Sequence, residues 1–143
     1  MKKLAKFSTL LLILATLCTS ILPLFVSAEE EISPYYLNTN SCYFSFVAAN
    51  GTARPVVSYK GVSGSFSYAN VTVKIQKRFL GVFWTKVDEW TETCYDVNGL
   101  VSNTTPLEKT GTYRAVFTVK IYGNDGSVDT IEDTITSRAT RII

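Results

Sequence analysis

Two acidic pairs, Asp88-Glu89 and Glu132-Asp133, are the densest carboxylates in this sequence. Paired carboxylates cleave a glycosidic bond when both reach the same bond, one as acid and the other as base or nucleophile. Neighbouring residues on an extended chain point to opposite sides, so neither pair converges and both read as solvated charge. Histidine is absent from all 143 residues. Its absence removes Ser-His-Asp and Cys-His activation, histidine-ligated zinc and the commonest general base at neutral pH. Asp125, Asp129 and Asp133 recur every fourth residue and carry oxygens of the kind calcium takes. On a strand Asp129 and Asp133 stand about 13 Å apart, at ~3.3 Å per residue, too far for one ion. The sequence therefore points to a protein that is not an enzyme, with no catalytic residues, no metal and no cofactor.

The remaining chemistry is aromatic and thiol. Phe79, Phe83, Trp84 and Trp90 cluster on and beside the segment F-L-G-V-F-W. Strict alternation puts Trp84 and Trp90 on one face and Val87 on the other, a conflict that a bulge would remove. Sandwich tryptophans ordinarily pack in the core. Yet Phe83 and Trp84 face opposite ways, so part of this apolar surface is expected in solvent, and exposed apolar patches mark binding sites. Aromatic faces at a hairpin tip suit a sugar ring, a partner protein or a membrane interface. Phe79, Phe83, Trp84 and Trp90 are thus the candidate binding residues. Cys42 and Cys94 form an even pair once Cys18 is removed by processing, and a structural disulfide is expected, with two separately buried thiols as the alternative. Such a bond would close a large loop and stabilise the fold by roughly 3–4 kcal/mol.

The N-terminus supplies the compartment. Lys2, Lys3 and Lys6 precede an apolar stretch over 7–25, and Val26-Ser27-Ala28 places small residues where signal peptidase reads. A helical signal peptide over 1–28 is expected. A retained anchor is the alternative, disfavoured by Pro23 and by the three glutamates after Ala28. Cleavage leaves 143 less 28, or 115, residues with no membrane span, and a secreted, extracellular protein. Losing three lysines from the 14 Lys and Arg leaves 11 cations against 12 acids, a net charge of −1. No basic tract interleaved with aromatics survives, so nucleic acid is not an expected partner.

Residues 29–40 are polar and read as a flexible N-terminal segment. From 41 to 143 the chain is a series of short alternating segments separated by glycine turns. Asn50-Gly51, Gly61–Ser65, Phe79-Leu80-Gly81 and Asn124-Asp125-Gly126 are the turns, and Val71, Val73 and Ile75 line one face of the clearest early strand. Asp96–Thr105 is a weaker strand ended by Pro106. Seven strands at this spacing predict an all-β, immunoglobulin/fibronectin-III-like antiparallel β-sandwich. Gly111-Thr112-Tyr113 fits the tyrosine corner, in which a tyrosine near the start of strand F bonds back to upstream backbone. Tyr113, Ala115, Phe117, Val119 and Ile121 would then face the core. Ala115 stands where an antibody-type domain has its second cysteine, so Cys42 and Cys94 are not that pair. Asn50, Asn70 and Asn103 head glycosylation sequons by rule but are read as turn and strand residues.

Gly61 and Gly64, Val73-Lys74-Ile75-Gln76-Lys77, then Trp84, Val87 and Trp90, Gly111-Thr112-Tyr113-Arg114 and Val119–Gly123 form a wider pattern. Over about Thr52 to Ser137 the sequence resembles small exported immunoglobulin-like sandwich proteins of Gram-positive bacteria, a family without an assigned activity. The resemblance implies the fold and export, and no functional residue. The function expected is a non-catalytic secreted binding domain for a surface glycan or protein. A secreted inhibitor or antimicrobial effector, and a self-associating envelope protein, are the alternatives.

Overall fold

Alternating β-branched and aromatic residues extend the chain into eight strands. They are β1 Thr39–Ala49, β2 Thr52–Gly61, β3 Phe66–Phe79, β4 Phe83–Cys94, β5 Asn98–Ser102, β6 Thr105–Pro106, β7 Gly111–Gly123 and β8 Val128–Ala139. The computed structural model describes residues 35–140. The expected signal peptide over 1–28 and the start of the flexible segment lie outside the described residues. Two antiparallel sheets form, β1-β2-β5 with β6 also on β2, and β4-β3-β7-β8. Their facing sides enclose one core, making an all-β, immunoglobulin-like sandwich. The eighth strand arises because the weak segment expected near Asp96–Thr105 splits at Asn103-Thr104. Both pieces still pair with β2, and Pro106, which has no N–H to donate, stops the second.

Residues of β3 and β7 supply the centre. Val71, Val73 and Ile75 meet Val119, Phe117 and Ala115 in register, and all six are buried. Phe44 of β1 closes over Phe117 with ring centroids 5.0 Å apart. Such alternating inward residues, each contributing roughly 1.5–3 kcal/mol when fully buried, are the main drive for folding. Pro34–Ile143 is a compact unit, and among the described residues the core, from Phe46 to Ala139, lies within it. It therefore carries what it needs to fold on its own.

Local chemistry pins the ends of this core. Tyr113 is buried, and its hydroxyl donates to the backbone carbonyl of Lys109, the expected tyrosine corner. Asn50 and Gly51 both take left-handed φ, 51° and 73°, and make the two-residue turn between β1 and β2. Gly99 is glycine because the Tyr59 ring occupies the space of a side chain there: a Cβ would lie 2.1 Å from Tyr59 Cε1. Asp129 accepts from the backbone N–H of Leu37 and Asn38 and from the Thr39 hydroxyl, the last two at 2.7 and 2.8 Å. Asn38 and Thr39, within the segment expected to be flexible over 29–40, are buried by these contacts.

The expected Cys42–Cys94 disulfide is absent, and both thiols are free. Strand order explains this. Cys42 sits on β1, which lies alongside β8 (Ala48 N–H donates to Ser137 Oγ at 3.0 Å), whereas Cys94 ends β4, at the opposite edge of the second sheet. Burial and the nearby Asp133 push the Cys42 thiol up to about 11 from 9.0, and burial raises Cys94 as well.

Four outcomes check these points. Tyr113→Phe should destabilise Pro34–Ile143 by about 1 kcal/mol, the net value of one hydrogen bond, in urea unfolding. Asp129→Ala should cost more, about 2–3 kcal/mol, because it strips a charged acceptor from buried donors. The Cys42 thiol is held neutral in the folded state and released to ionise on unfolding. Stability should therefore be insensitive to this group below pH 9 and fall as pH rises from 9.0 to about 11. In a Cys94→Ser variant, alkylation of Cys42 at mildly alkaline pH should run about 100-fold slower than for an ordinary thiol, as two pKa units require.

Candidate functional site

At one end of the sandwich β3 and β4 close as a hairpin beside the start of β7. Its rows pair Gln76 with Lys86, Lys77 with Thr85, Arg78 with Trp84 and Phe79 with Phe83. Leu80-Gly81-Val82 closes it, with Val82 N–H donating to Phe79 O at 3.2 Å. Leu80 and Gly81 both take positive φ, 50° and 74°. For leucine that conformation costs about 1–2 kcal/mol, so an apolar residue is held strained and in water at the tip.

One extra residue decides which way this hairpin presents its side chains. Ile75 pairs with Asp88 but Gln76 pairs with Lys86, so Val87 has no partner and forms a bulge. Below it, Trp90 opposes Val73 and packs against the core, its indole N–H buried without an acceptor. Above it the parity reverses. Trp84 opposes Arg78 on the outer face, where the Arg114 guanidinium lies 4.2 Å from its ring centroid and that of Arg78 5.8 Å away. Arg114 is steered by a 2.8 Å hydrogen bond from its Nε to Gln76 Oε1. The expectation that Trp84 and Trp90 share a face is thus corrected: the bulge separates them.

Phe79 and Phe83 take the other side and are exposed. With Leu80 and Val82 they leave 56, 62, 74 and 72% of their surface in solvent, respectively. Beneath them, on the same face, lies a cleft of about 480 Å³ lined by Lys77, Val87, Asp88, Thr105, Pro106 and Tyr113 among others. Lys77 Nζ lies 5.7 Å from the Tyr113 ring centroid. Asp88 is committed to structure there, accepting from Thr105 Oγ1 at 2.7 Å and so joining the two sheets. Glu89 points the other way, to Lys74 and Lys86 at 3.4 and 3.2 Å, and the Lys86 contact leads in holding its carboxyl below the usual range. The acidic pair therefore diverges, as alternation requires. Asp125, Asp129 and Asp133 are likewise separate: Asp125 caps the last turn through Ser127, which keeps its carboxyl low, Asp129 anchors 37–39, and Asp133 bonds the Thr134 N–H. Among the described residues no cluster of three or more His, Cys, Asp or Glu could hold a metal.

The structure thus gathers Phe79, Phe83 and, on the reverse face, Trp84 at one end, and leaves Trp90 out. It adds Leu80 and Val82 at the tip and Lys77, Arg78 and Arg114 behind it, none of which the aromatic pattern singles out. The signal for the cations is present in the sequence: residues 74–86 hold Lys74, Lys77, Arg78 and Lys86 and no acid. A second exposed row, Tyr43, Ser58 and Leu100, crosses the outer face of the first sheet. It is flat and interleaved with serine, and it lacks a comparable run of apolar neighbours.

No protein-family model matches this sequence, and no curated protein matches it. Among solved structures, the chain is similar to the CARDB domain of a Pyrococcus furiosus protein, solved in complex with di-metal ions. The identity is 17% and the TM-score 0.45, over 74% of this chain and 97% of that one. A β-glucosidase from Listeria innocua is similar at 11% identity and a TM-score of 0.41, over 72% of this chain but 16% of the enzyme. A sporulation control protein from Bacillus subtilis is similar at 10% identity and a TM-score of 0.37, over 68% and 48% of the two chains. No site residue is carried over from any of these.

A direct check on the hairpin is spectroscopic. Removing the guanidinium in Arg114→Gln should uncover the Trp84 ring and shift its fluorescence to longer wavelength in a Trp90→Phe background. The same change should leave the Trp90 signal untouched in a Trp84→Phe background.

Proposed function

We propose that this chain is a secreted, non-catalytic binding domain of Gram-positive bacteria that attaches to the cell envelope by the end of its β3–β4 hairpin. The observation that carries the reading is the run Phe79-Leu80-Gly81-Val82-Phe83. It puts four large apolar side chains into water on and beside a strained turn at the end of the β3–β4 hairpin. Folding gains nothing from that exposure, and contiguous apolar surface of this kind marks contact sites. The signal-peptide-like N-terminus supports export. A fibronectin-III-like strand order, with β4 beside β3 rather than in the sheet of β1 and β2, suits a module that presents one hairpin. The lack of histidine and the divergence of both acidic pairs support a role without catalysis. Trp84 is a poor sugar platform here, because an arginine already lies over its ring.

Retention of Pro34–Ile143 on envelopes isolated from Gram-positive cells tests this. Wild type should be retained, and a Phe79→Ser/Phe83→Ser variant with an unchanged circular dichroism spectrum should lose at least about tenfold of it, since each phenyl ring contributes more than a decade of apolar affinity when buried. Equal retention of the two proteins, or none of wild type, would overturn the reading.

A further inference from the structure

We propose that the surface engaged by the hairpin is an anionic lipid bilayer, into whose interface the tip inserts. This rests on the hairpin end being the binding surface and names its partner. Three features point to lipid rather than to a protein or glycan. First, the tip is exposed and carries no polar side chain: residues 79–83 are Phe, Leu, Gly, Val and Phe. A protein-binding site of this size ordinarily interleaves polar groups that fix the partner's orientation, and none stands here. Second, the rows are ordered along the ribbon as a bilayer interface is ordered in depth. Apolar residues come first, then Trp84 opposite Arg78, then Lys77 opposite Thr85, then Lys86 opposite Gln76. At ~3.4 Å per strand residue the Arg78–Trp84 row lies one residue behind the Phe79–Phe83 row, and the turn beyond brings the depth to roughly 5–7 Å. That matches the 5–10 Å by which apolar faces bury at the headgroup boundary, with tryptophan and cations at its polar level.

Third, the charge is one-sided. Residues 76–87 hold Lys77, Arg78 and Lys86 with no acid, and Arg114 joins them across the sheet on Trp84. Among the described residues the ion pairs are Lys74–Glu89 and Lys86–Glu89, neither of which reaches Lys77, Arg78 or Arg114. Two acids line the cleft with Lys77: Asp88, bonded to Thr105, and Glu108, whose neighbour is Lys109. Positive groups behind an apolar tip are what an anionic headgroup layer attracts. Neutral sugars offer them hydrogen-bond acceptors but no opposite charge.

The test is co-sedimentation of Pro34–Ile143 with phosphatidylcholine vesicles, with and without phosphatidylglycerol. Binding should be at least about tenfold stronger to the anionic vesicles and fall as salt is raised. Phe79→Ser/Phe83→Ser and, separately, Lys77→Gln/Arg78→Gln should each lose it. All four positions lie outside the buried core, and circular dichroism verifies the fold of each variant. In a Trp90→Phe background, Trp84 emission should shift to shorter wavelength on anionic vesicles alone. Binding to envelopes without binding to anionic vesicles would overturn the lipid inference while leaving the hairpin as the binding surface. Envelope binding abolished by protease treatment would do the same and indicate a protein partner. Equal binding to both vesicle types would overturn the role of charge and with it the inference. Vesicle and envelope binding that both survive the double phenylalanine substitution would overturn the inference and the hairpin reading together.

Discussion

A single unpaired residue, Val87, controls how this protein faces its surroundings. A strand alternates strictly, so every side chain of β4 would keep the side that the core assigns to Trp90. The bulge breaks that rule once, between Asp88 and Lys86. Trp90 stays under the sheet as core. Trp84 comes out on the opposite face, between cations, and Phe83 swings to the side of Phe79. Without the extra residue Trp84 would point along the cleft and Phe83 would lie on the arginine side, away from Phe79.

The body of the sandwich gives this hairpin a rigid base. The buried row from Val71 to Ile75 against Ala115 to Val119 fixes β3, the strand that carries Lys77, Arg78 and Phe79 outward. Tyr113 holds the adjoining loop by its hydroxyl, and Asp88 ties β4 to Thr105 across the two sheets. At the other end Asp129 accepts from the backbone of Leu37 and Asn38 and from the Thr39 hydroxyl. Both ends are therefore tied by polar contacts in which a buried donor meets a defined acceptor, and the β3–β4 turn stands exposed beside one of them. Stiffness of the base matters to the proposed function, because an apolar tip on a floppy loop would collapse onto the protein's own surface.

Much of the fold is legible in the residues themselves. Alternation at Val71, Val73 and Ile75, the Asn50-Gly51 turn and the Gly111-Thr112-Tyr113 corner are local signals, and the structure bears out all three. The expectations that fail depend on relations that are not local. The pairing of Cys42 and Cys94 depends on which edges β1 and β4 occupy, which composition does not encode. The common face of Trp84 and Trp90 follows from counting by twos through Val87, and a bulge reverses every count beyond it. The anchoring of Asn38 and Thr39 depends on Asp129, some ninety positions away. The candidate site is half visible in the sequence: the aromatics stand out, while each cation behind them is unremarkable until the rows are in register.

The measurement that bears most directly on the account is a residue-by-residue amide spectrum of Pro34–Ile143, recorded by nuclear magnetic resonance with and without anionic bicelles. Broadening and shifts confined to the amides of residues 77–86 and the Trp84 indole are the expected result, with the Tyr43–Leu100 row and the Trp90 indole unchanged. Changes centred on Tyr43 and Leu100, or spread evenly over the sandwich, would contradict it.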